Sequence, residues 1–260
     1  MDSNKKGSVF FSIVTVCYNS EKFIEGTIES VLSQNFKGYE YIIIDGKSTD
    51  KTLIKIKSYQ NNHKSIALIS EEDNGIYDAM NKGIKQSKGE YIFFLNAGDA
   101  FYDSDTLEKT FHLIDKNDEI IYGDICQVNG EKEVYKKSIK KITKFHLLLD
   151  RMICHQAIFA KRSIFNNHGL FDIRYKISAD YDWFISCFKA GVKLKYIPLV
   201  ISYFDMSGIS TSNNIIIQKE HEDIIKNQFG KVVYRFSRFK HWIGNRLKKV
   251  TVEKNKNDKL

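Results

Sequence analysis

The first hundred residues alternate apolar runs with amphipathic segments, and this alternation restricts the fold more than any other feature of the sequence. The apolar runs are FFSIVTVC, YEYIIID, SIALIS and EYIFFLN, with segments of helical spacing between them. Continuous runs such as Tyr41–Ile44 are typical of strands buried on both faces of a parallel sheet, since a strand with one wet face would alternate. Helices must then cover both faces, and we expect an α/β fold with a mostly parallel central sheet.

The helical segments carry signals of their own. Between Ser20 and Gln34, four apolar residues fall on a single helical face, namely Ile24, Ile28, Val31 and Leu32. In the next helix Ser48 is a candidate N-cap, and Asp50 is favourably placed for the first turn.

Beyond Asp99 the regular alternation is lost, and the second half is expected to be of α+β type. The pattern indicates a helix through Ile114 with Ser104 as its candidate N-cap, and a hairpin with an Asn129-Gly130 turn between EIIYGDICQV and KEVYKK. Further along it indicates a helix over Ser178–Ala190, a strand within VKLKYIPLVISYF and a helix over Ile215–Gln228.

Composition excludes several protein classes. The 260 residues are 42% hydrophobic and 28% charged with one proline, which rules out a disordered or collagen-like chain. Four scattered cysteines lack the spacing of a disulfide framework or a zinc site, so we expect reduced thiols in a cytoplasmic protein. No run approaches the roughly 18 apolar residues of a membrane span, and no signal-peptide pattern precedes the first strand.

Polar residues follow each of the four predicted strands where the strand ends. They are Thr15, Tyr18 and Asn19 after the first strand, Asp45 after the second, Ser70–Gly75 after the third and Asn96–Asp99 after the fourth. In open α/β sheets, ligands bind beyond the carboxyl ends of the strands. Asp, Asn and Gly also build turns, which explains any single loop at least as well, but four such loops at one edge favour a binding site.

These residues fit a mononucleotide better than a dinucleotide. Asp45 is a candidate acceptor for an N–H group of a pyrimidine base, and Asp99 offers a hard oxygen to a divalent cation on a diphosphate. No GxGxxG follows the first strand, no Walker A loop is present, and SEKFIEG supplies no glycine-rich phosphate loop. Diphosphate binding through Mg²⁺ or Mn²⁺ is the prediction that remains.

Four segments, taken in order, carry a family resemblance. They are SIVTVCYNSEKFIEGTIESVLSQ, IIIDGKSTDKT, EEDNGIYDAMNKGIKQSKGEYIFFLNAGD and SADYDWF, within residues 9–205. The set resembles the family-2 glycosyltransferases of the GT-A fold, especially bacterial enzymes that build surface polysaccharides. The resemblance implies a nucleotide-diphospho-sugar transferase fold in which Thr15 and Tyr18 lie against the nucleotide, Asp45 contacts uracil and Asp99 binds the metal.

The metal motif departs from the family's pattern. Many members have a DxDD-like run where this chain reads Asn96-Ala97-Gly98-Asp99. One carboxylate with phosphate oxygens and water still suffices for Mg²⁺, which often uses only one or two protein carboxylates. Further nucleotide-binding candidates at this edge are Asn19, Asn74, Gly75, Lys82 and Asn96, although a helical lysine such as Lys82 is often simply solvated.

Transfer with inversion needs a base for the proton of the acceptor hydroxyl, and a carboxylate suits that task. In SADYDWF, Ala179-Asp180 stands where the family has an acidic pair, so the resemblance makes Asp180 the base. Asp180 and Asp182 cannot both face one substrate from a regular helix. The alternative for Asp180 is an N-cap of the helix through Phe188.

Weaker candidates lie nearby in the sequence. His155, Gln156 and Asp182 are candidates for contacts to the acceptor or the donor sugar, and a purely structural role for Cys154-His155-Gln156 fits equally well. Cys17 ends a buried strand and is expected to be a small core residue rather than a nucleophile.

The net charge of +8 lies in a basic tail, residues 231–260. This tail holds ten of the forty Lys/Arg and two of the thirty-two Asp/Glu, which leaves thirty of each sign before it. The segment VVYRFSRFKHWIGNRLKKV places apolar residues at helical spacing beside basic ones, which is typical of an interfacial helix on an anionic membrane. The alternative is a helix that packs its aromatic stripe on the catalytic domain.

Together these features predict an inverting glycosyltransferase. It would move a sugar from a nucleotide-diphosphate sugar, a UDP-sugar by resemblance, to a saccharide or lipid-linked saccharide at the inner face of the cell membrane. Residues 1–230 would form one domain, with 9–100 as its nucleotide-binding half and 101–230 as its acceptor half. A nucleotide-sugar binding or nucleotidyl-transfer protein with a degenerate site is the alternative. A nucleic-acid-binding module is disfavoured because the neutral body and strand-end carboxylates would repel phosphates.

Overall fold

Strands and helices alternate strictly over the first hundred residues of the computed structural model, which describes residues 9–206 and 214–235. The elements are β1 (Phe11–Cys17), α1 (Ile24–Leu32), β2 (Tyr39–Asp45), α2 (Thr52–Asn62), β3 (Ile66–Ser70), α3 (Ile76–Gln86) and β4 (Tyr91–Phe94). The apolar runs and the amphipathic segments thus form the elements expected of them.

The second half mixes short strands and helices. It contains β5 (Ala100–Phe101), α4 (Thr106–Leu113), β6 (Ile120–Asn129), β7 (Lys132–Lys136), α5 (Lys144–Leu148), a 3-10 turn (His155–Ala157), β8 (Ile158–Lys161), α6 (Arg162–His168), α7 (Ala179–Lys189), β9 (Leu194–Asp205) and α8 (Asn214–Phe229). The expected hairpin is present, since β6 and β7 pair antiparallel and Gly130 adopts a positive φ of 60° in the turn. Positive φ suits glycine, which has no Cβ.

One sheet holds all nine strands in the order β3-β2-β1-β4-β8-β6-β9-β5, with β7 paired to β6. The first four strands of this order are parallel. β8 then runs antiparallel to both β4 and β6, and β9 is parallel to β6. The α/β fold is confirmed, with its fully parallel part confined to the half where the sequence alternates.

Strand register brings the strand ends of the parallel half into line. Cys17 pairs with Asp45, and Asp45 pairs with Ser70, so β1, β2 and β3 finish at the same level. The two halves share a core in which the Phe93 ring stacks on Phe159 at 4.4 Å and on Phe101 at 5.1 Å. The sheet edge beyond these ends is therefore supported by packing from both halves.

Two predicted helix caps lie outside their helices. α2 begins at Thr52, and Ser48 instead donates its hydroxyl to Asp45. Asp50, predicted for the first turn, instead lies two residues before the start of α2 and accepts the backbone N–H of Thr52, while Lys51 occupies the N-cap position. α4 likewise begins at Thr106, with Asp105 rather than Ser104 in the N-cap position. Ser48 is not free to cap because a buried carboxylate competes for its hydroxyl.

Most of the basic tail lies outside the described residues. Residues 231–235 are helical, and Tyr234 packs against the core with Lys226 4.4 Å above its ring. Within the described part of the chain, each helix is too short or too polar to cross a membrane. The four cysteines form no disulfide, and Cys17 is a buried core residue as expected.

Candidate active site

Asp99 lies just beyond β4 with only 4% of its surface exposed. Its Oδ2 accepts a hydrogen bond from the Gln156 side chain at 3.1 Å, and its Oδ1 accepts the backbone N–H of Asp205 at 3.1 Å. Gln156 belongs to the 3-10 turn and Asp205 ends β9. Three segments that are far apart in the sequence therefore meet at this carboxylate.

The electrostatic environment of Asp99 disfavours its charge. Burial raises the pKa of its carboxyl to about 6, and the hydrogen bonds from Asp205 and Gln156 only partly oppose the effect of burial. No Lys or Arg of residues 9–206 and 214–235 forms an ion pair with it. A buried carboxylate in such surroundings becomes more stable when a cation arrives.

Asp180 lies in the first turn of α7 and faces two side chains from other segments. Its Oδ1 is 2.7 Å from the Tyr77 hydroxyl of α3, and its Oδ2 is 3.2 Å from Nδ1 of His155. Burial acts to raise the pKa of Asp180, but the hydrogen bonds from His155 and Tyr77 outweigh it and hold the pKa below its usual value. Asp180 is therefore ionised at neutral pH.

His155 connects Asp180 to the end of β4. While its Nδ1 faces Asp180, its Nε2 lies 3.1 Å from Nδ2 of Asn96. The side-chain amide oxygen of Asn96, Oδ1, is buried without a hydrogen-bond partner. The neighbouring Gln156 contacts Asp99, so a single 3-10 turn touches both predicted functional aspartates.

The N-cap alternative for Asp180 does not hold. Ser178 occupies the N-cap position of α7, and Asp180 lies inside the helix. Three successive backbone N–H groups in front of α7, those of Lys176, Ile177 and Ser178, donate instead to the Glu220 carboxylate of α8 at 2.6, 3.0 and 2.9 Å. Glu220 thus performs the capping role and leaves Asp180 free to face His155.

Asp182 faces away from this group, as the helical spacing predicts. Its carboxylate accepts a hydrogen bond from Gln228 of α8 at 2.8 Å. Burial raises its pKa, in contrast to that of Asp180 two residues earlier. The structure therefore does not bring Asp182 together with the other site candidates.

Asp45 is fully buried, and its oxygens are already engaged. They accept hydrogen bonds from the Ser48 hydroxyl at 2.5 Å, the Ser48 backbone N–H at 3.2 Å and the Ser70 hydroxyl at 2.6 Å. The loop after β2 is thereby tied to the end of β3. A direct contact of Asp45 with uracil would therefore require Ser48 or Ser70 to move away from its carboxylate.

A different carboxylate faces the surface at the same edge. Asp73, in the loop after β3, lies over Gly46, where a Cβ would come within 2.4 Å of its Oδ2 and 3.4 Å of the Tyr18 ring. Its Oδ1 accepts the N–H of Gly75 at 3.0 Å. Tyr18 is 61% exposed. Tyr18 and Asp73 therefore both lie close over Gly46, at the edge where a base was expected.

Thr15 and Asn19 have structural partners. Thr15 is fully buried, and its hydroxyl lies 3.1 Å from the Tyr41 hydroxyl inside the sheet, so it does not reach the edge. Asn19 adopts a positive φ of 48° and accepts the backbone N–H of Thr49 at 2.9 Å. It fastens the loop after β1 to the loop after β2.

Asn74, Gly75 and Lys82 lie around the start of α3. The backbone N–H of Asn74 donates to Asp78 at 2.9 Å, and Gly75 has a φ of 115°, which a side chain would strain. Lys82 is paired with Glu71 at 3.1 Å. Its charge is therefore already balanced by protein, and a phosphate would have to compete with that carboxylate.

Sequence reasoning missed three residues of the site, namely Tyr77, Asp205 and Glu220, and it included Asp73 only within the candidate loop Ser70–Gly75 without a role of its own. Asp205 ends a strand, which is the signal that identified Asp45 and Asp99. Tyr77 and Glu220 carry no comparable signal, because their roles depend on residues far along the chain. Asp180 lies 103 positions from Tyr77, and Lys176 lies 44 positions from Glu220.

The residues at Asp99 fit a divalent cation that brings most of its own ligands. Within residues 9–206 and 214–235, His, Cys, Asp and Glu nowhere form a group of three placed to hold a metal. Asp99 offers a buried carboxylate near the end of β4 that forms no ion pair with a Lys or Arg of the described residues. Mg²⁺ and Mn²⁺ accept such oxygen donors and take other ligands from phosphates and water.

Comparison with known proteins decides the family. The sequence profile described as "Glycosyl transferase family 2" matches residues 12–171. The chain belongs to this family. It is 32% identical over 224 residues to a PGL/p-HBAD biosynthesis glycosyltransferase of Mycobacterium tuberculosis, with 81% of both proteins covered. It is 27% identical over 220 residues to a dolichyl N-acetyl-alpha-D-glucosaminyl phosphate 3-beta-D-2,3-diacetamido-2,3-dideoxy-beta-D-glucuronosyltransferase of Methanococcus voltae, covering 77% of this chain and 68% of the relative.

Two solved glycosyltransferases share the fold. TarS 1–349 of S. aureus in complex with UDP-GlcNAc aligns with a TM-score of 0.70 at 19% identity, over 84% of this chain. The mannosyltransferase PcManGT of Pyrobaculum calidifontis, in complex with GDP-Man and Mn²⁺, aligns with a TM-score of 0.63 at 16% identity, over 88% of this chain. This family-2 glycosyltransferase spans 65% of the length of each.

Proposed function

We propose that this glycosyltransferase moves a sugar from a UDP-sugar to an acceptor hydroxyl with inversion at the anomeric carbon. The observation that carries the proposal is that the 3-10 turn His155–Ala157 touches two buried aspartates at once. Asp99 is suited to bind a cation on the diphosphate, because a cation would stabilise its buried charge. Asp180, ionised and joined to His155, suits the side where the acceptor loses its proton.

The base of the donor is proposed to lie against Tyr18 and Asp73. A uracil on the exposed Tyr18 ring would present its N3–H to a carboxylate. Asp73 is a carboxylate that lies beside that ring, over Gly46. Asp45 would then act indirectly, by holding the loop that carries Gly46 through Ser48 and Ser70. The side-chain oxygen of Asn96, Oδ1, is proposed to accept a hydrogen bond from a hydroxyl of the donor sugar.

A divalent cation, Mg²⁺ or Mn²⁺, is proposed to be held by Asp99. When bound, it would neutralise charge on the leaving nucleoside diphosphate. The Mn²⁺ in the complex of PcManGT supports a metal in this fold, and the raised pKa of Asp99 supports the same position in this chain.

The acceptor is proposed to be a saccharide, or a lipid-linked saccharide of bacterial surface polysaccharide, at the inner face of the cell membrane. The Methanococcus voltae relative is named for a dolichyl-linked sugar phosphate, which supports a lipid-linked class. The basic tail 231–260 supports attachment to an anionic leaflet. Deletion of residues 231–260 should move the protein from the membrane fraction to the soluble fraction, and unchanged fractionation would overturn this part of the proposal.

A ligand-binding panel tests the donor assignment. Thermal unfolding of wild type and Asp99→Asn is followed with UDP, GDP, CDP and dTDP and their sugars, with and without Mn²⁺ or Mg²⁺. A ligand that binds only the folded state raises the melting temperature. We expect a metal-dependent rise with one uridine nucleotide that Asp99→Asn loses. Binding without any release of nucleoside diphosphate would instead favour a nucleotide-sugar binding protein with a degenerate site.

A further inference from the structure

Tyr77 of α3 is a buried residue whose hydroxyl touches the start of α7 at two points. The hydroxyl oxygen lies 2.6 Å from the backbone carbonyl oxygen of Ile177 and 2.7 Å from Oδ1 of Asp180, and the residue is 4% exposed. The proposed function uses Asp180 and leaves Tyr77 without a role. A side chain from an early helix therefore joins the candidate base to the backbone in front of its own helix.

The Ile177 carbonyl is a fixed anchor, because Glu220 of α8 holds the peptide unit to which it belongs. Glu220 accepts the backbone N–H of Ser178 at 2.9 Å and that of Ile177 at 3.0 Å. In a planar trans peptide the Ser178 N–H and the Ile177 carbonyl point in opposite directions. Holding the N–H on Glu220 thus aims the carbonyl at Tyr77. A chain of contacts runs from α8 through Ile177 and Tyr77 to Asp180.

Few polar groups compete for the orientation of Asp180. Among residues 9–206 and 214–235, the side chains that form hydrogen bonds with its carboxylate are those of Tyr77 and His155, the latter through Nδ1 at 3.2 Å. Asp180 also borders a cavity of about 20 Å³ whose lining is mostly apolar and includes Phe171 and Trp183. Apolar walls offer no hydrogen bond, so the two polar contacts decide how the carboxylate is turned.

The Tyr77 hydroxyl is a permanent donor. Burial, with the nearby charge of Asp180, raises the pKa of Tyr77 well above its usual value, so the phenol keeps its hydrogen. That single hydrogen is shared between two oxygens, of which the ionised carboxylate is the stronger acceptor. Burial acts to raise the pKa of Asp180, and the bonds from His155, Tyr77 and the Tyr181 backbone N–H oppose it. The contact therefore favours the ionised form that a base requires.

We propose that Tyr77 is a positioning residue that orients the carboxylate of Asp180 toward the acceptor hydroxyl, and that Glu220 supports Tyr77 from α8 through the Ile177 carbonyl. This inference rests on the proposed function, in which Asp180 is the base. An ionised carboxylate has about four lone-pair sites, so the bonds from Tyr77 and His155 leave sites for the acceptor.

Tyr77→Phe is the decisive variant, because it keeps the ring and removes only the hydroxyl. The assay is release of UDP from UDP-glucose, UDP-galactose and UDP-GlcNAc with water as the acceptor, beside calorimetric titration with UDP and Mn²⁺. We expect release to fall by about 10–10²-fold while UDP affinity stays within about twofold. Wild-type release by Tyr77→Phe would overturn the inference.

Tyr91→Phe is the matched control. It removes another buried hydroxyl, which donates to the Asp118 carbonyl at 2.7 Å from the first residue of β4, at the opposite end of that strand from Asn96 and Asp99. Its release of UDP should stay near that of the wild type. Equal losses in Tyr77→Phe and Tyr91→Phe would mean that both act through stability, and would overturn a positioning role.

The titration of Asp180 can be measured without turnover. ¹³C-carboxyl spectra of protein labelled at aspartate, assigned with Asp180→Asn, should show its midpoint at higher pH in Tyr77→Phe than in wild type. Besides His155, the charges of Cys154 and Glu220 act on this pair, and they are the same in both proteins. An unchanged midpoint would overturn this inference alone. Failure of the wild type to release UDP from any donor would instead overturn the proposed function.

A double-mutant cycle tests the link to α8. Glu220→Gln keeps one oxygen for the backbone N–H groups but loses the other and the charge, and we expect release to fall about threefold to tenfold. If Glu220 acts through Tyr77, adding Glu220→Gln to Tyr77→Phe should reduce release little further. Losses that multiply in the double variant would show that Glu220 acts elsewhere and would overturn the link.

Discussion

The two ends of the candidate site are built in different ways. In the parallel half, Asp45 is held by Ser48 and Ser70, which lie three and twenty-five residues away, within one unit of alternating strands and helices. At the other end, around the 3-10 turn His155–Ala157, Asp99 is held by Asp205 and Asp180 by Tyr77. Each of these partners is more than one hundred residues away. The first arrangement stabilises loops, and the second depends on the whole fold being assembled.

Replacement of Asp180 should give the largest effect. Asp180→Asn removes the charge beside His155, and we expect turnover to fall by roughly 10³-fold with little change in UDP affinity. Asp182→Asn, two residues along the same helix, should keep near wild-type turnover because Asp182 faces Gln228. Equal losses in the two variants would mean that both act through the stability of α7.

Asp99 should make stability depend on pH in a direction opposite to that of a typical paired carboxylate. Because its folded pKa of about 6 lies above the usual value of 3.8, its stabilising contribution is complete below about pH 4 and is lost as pH rises through 6. The loss should be roughly 3 kcal/mol, at about 1.4 kcal/mol per pKa unit. Chemical denaturation at pH 4 and 7 measures it, and Asp99→Asn should lack this dependence.

Nucleotide and metal should reverse that loss. If Asp99 holds the metal as proposed, Mn²⁺ with UDP would stabilise its ionised form, and UDP binding should strengthen as pH rises from 5 to 7 in wild type but not in Asp99→Asn. If both proteins bind equally at both pH values, Asp99 does not hold the metal.

Asp45 should affect stability more than ligand binding. Asp45→Asn replaces one carboxylate oxygen, which accepts a hydrogen bond from Ser48 or Ser70, by an amide group that can only donate. We expect a decrease of about 1–3 kcal/mol in the free energy of unfolding. Urea denaturation measures this decrease. An Asp45→Asn protein of wild-type stability that no longer binds UDP would restore the direct uracil contact.

Asp73 should behave in the opposite way. Asp73→Asn keeps an oxygen for the Gly75 N–H but loses the charge that faces Gly46, so UDP affinity should fall about tenfold, or about 1.4 kcal/mol. The free energy of unfolding should change by less than about 1 kcal/mol, because Asp73 is half-buried and its hydrogen bond to Gly75 is kept. Unchanged UDP affinity would remove Asp73 from the base site.

The sequence predicted the elements better than it predicted the contacts. Periodicity located β1–β4, the hairpin and α7, because each depends on neighbours within one element. Strand ends pointed to Asp99, to Asp45 and to the loop that holds Asp73, but they did not show that Asp45 is buried, since depth within the sheet is set by strand register and not by order along the chain. The role of Glu220 could not be predicted, because no local sequence pattern indicates that a residue of α8 accepts the backbone N–H groups in front of α7.

That cap has a practical consequence for any experiment on the C-terminus. Glu220 accepts three backbone N–H groups in front of the helix that carries Asp180. A truncation that ends before residue 220 would remove the basic tail and the Glu220 contacts of the Asp180 helix together, so lost activity could not be assigned to the tail. Truncation after Gly230 separates the two, because α8 ends at Phe229.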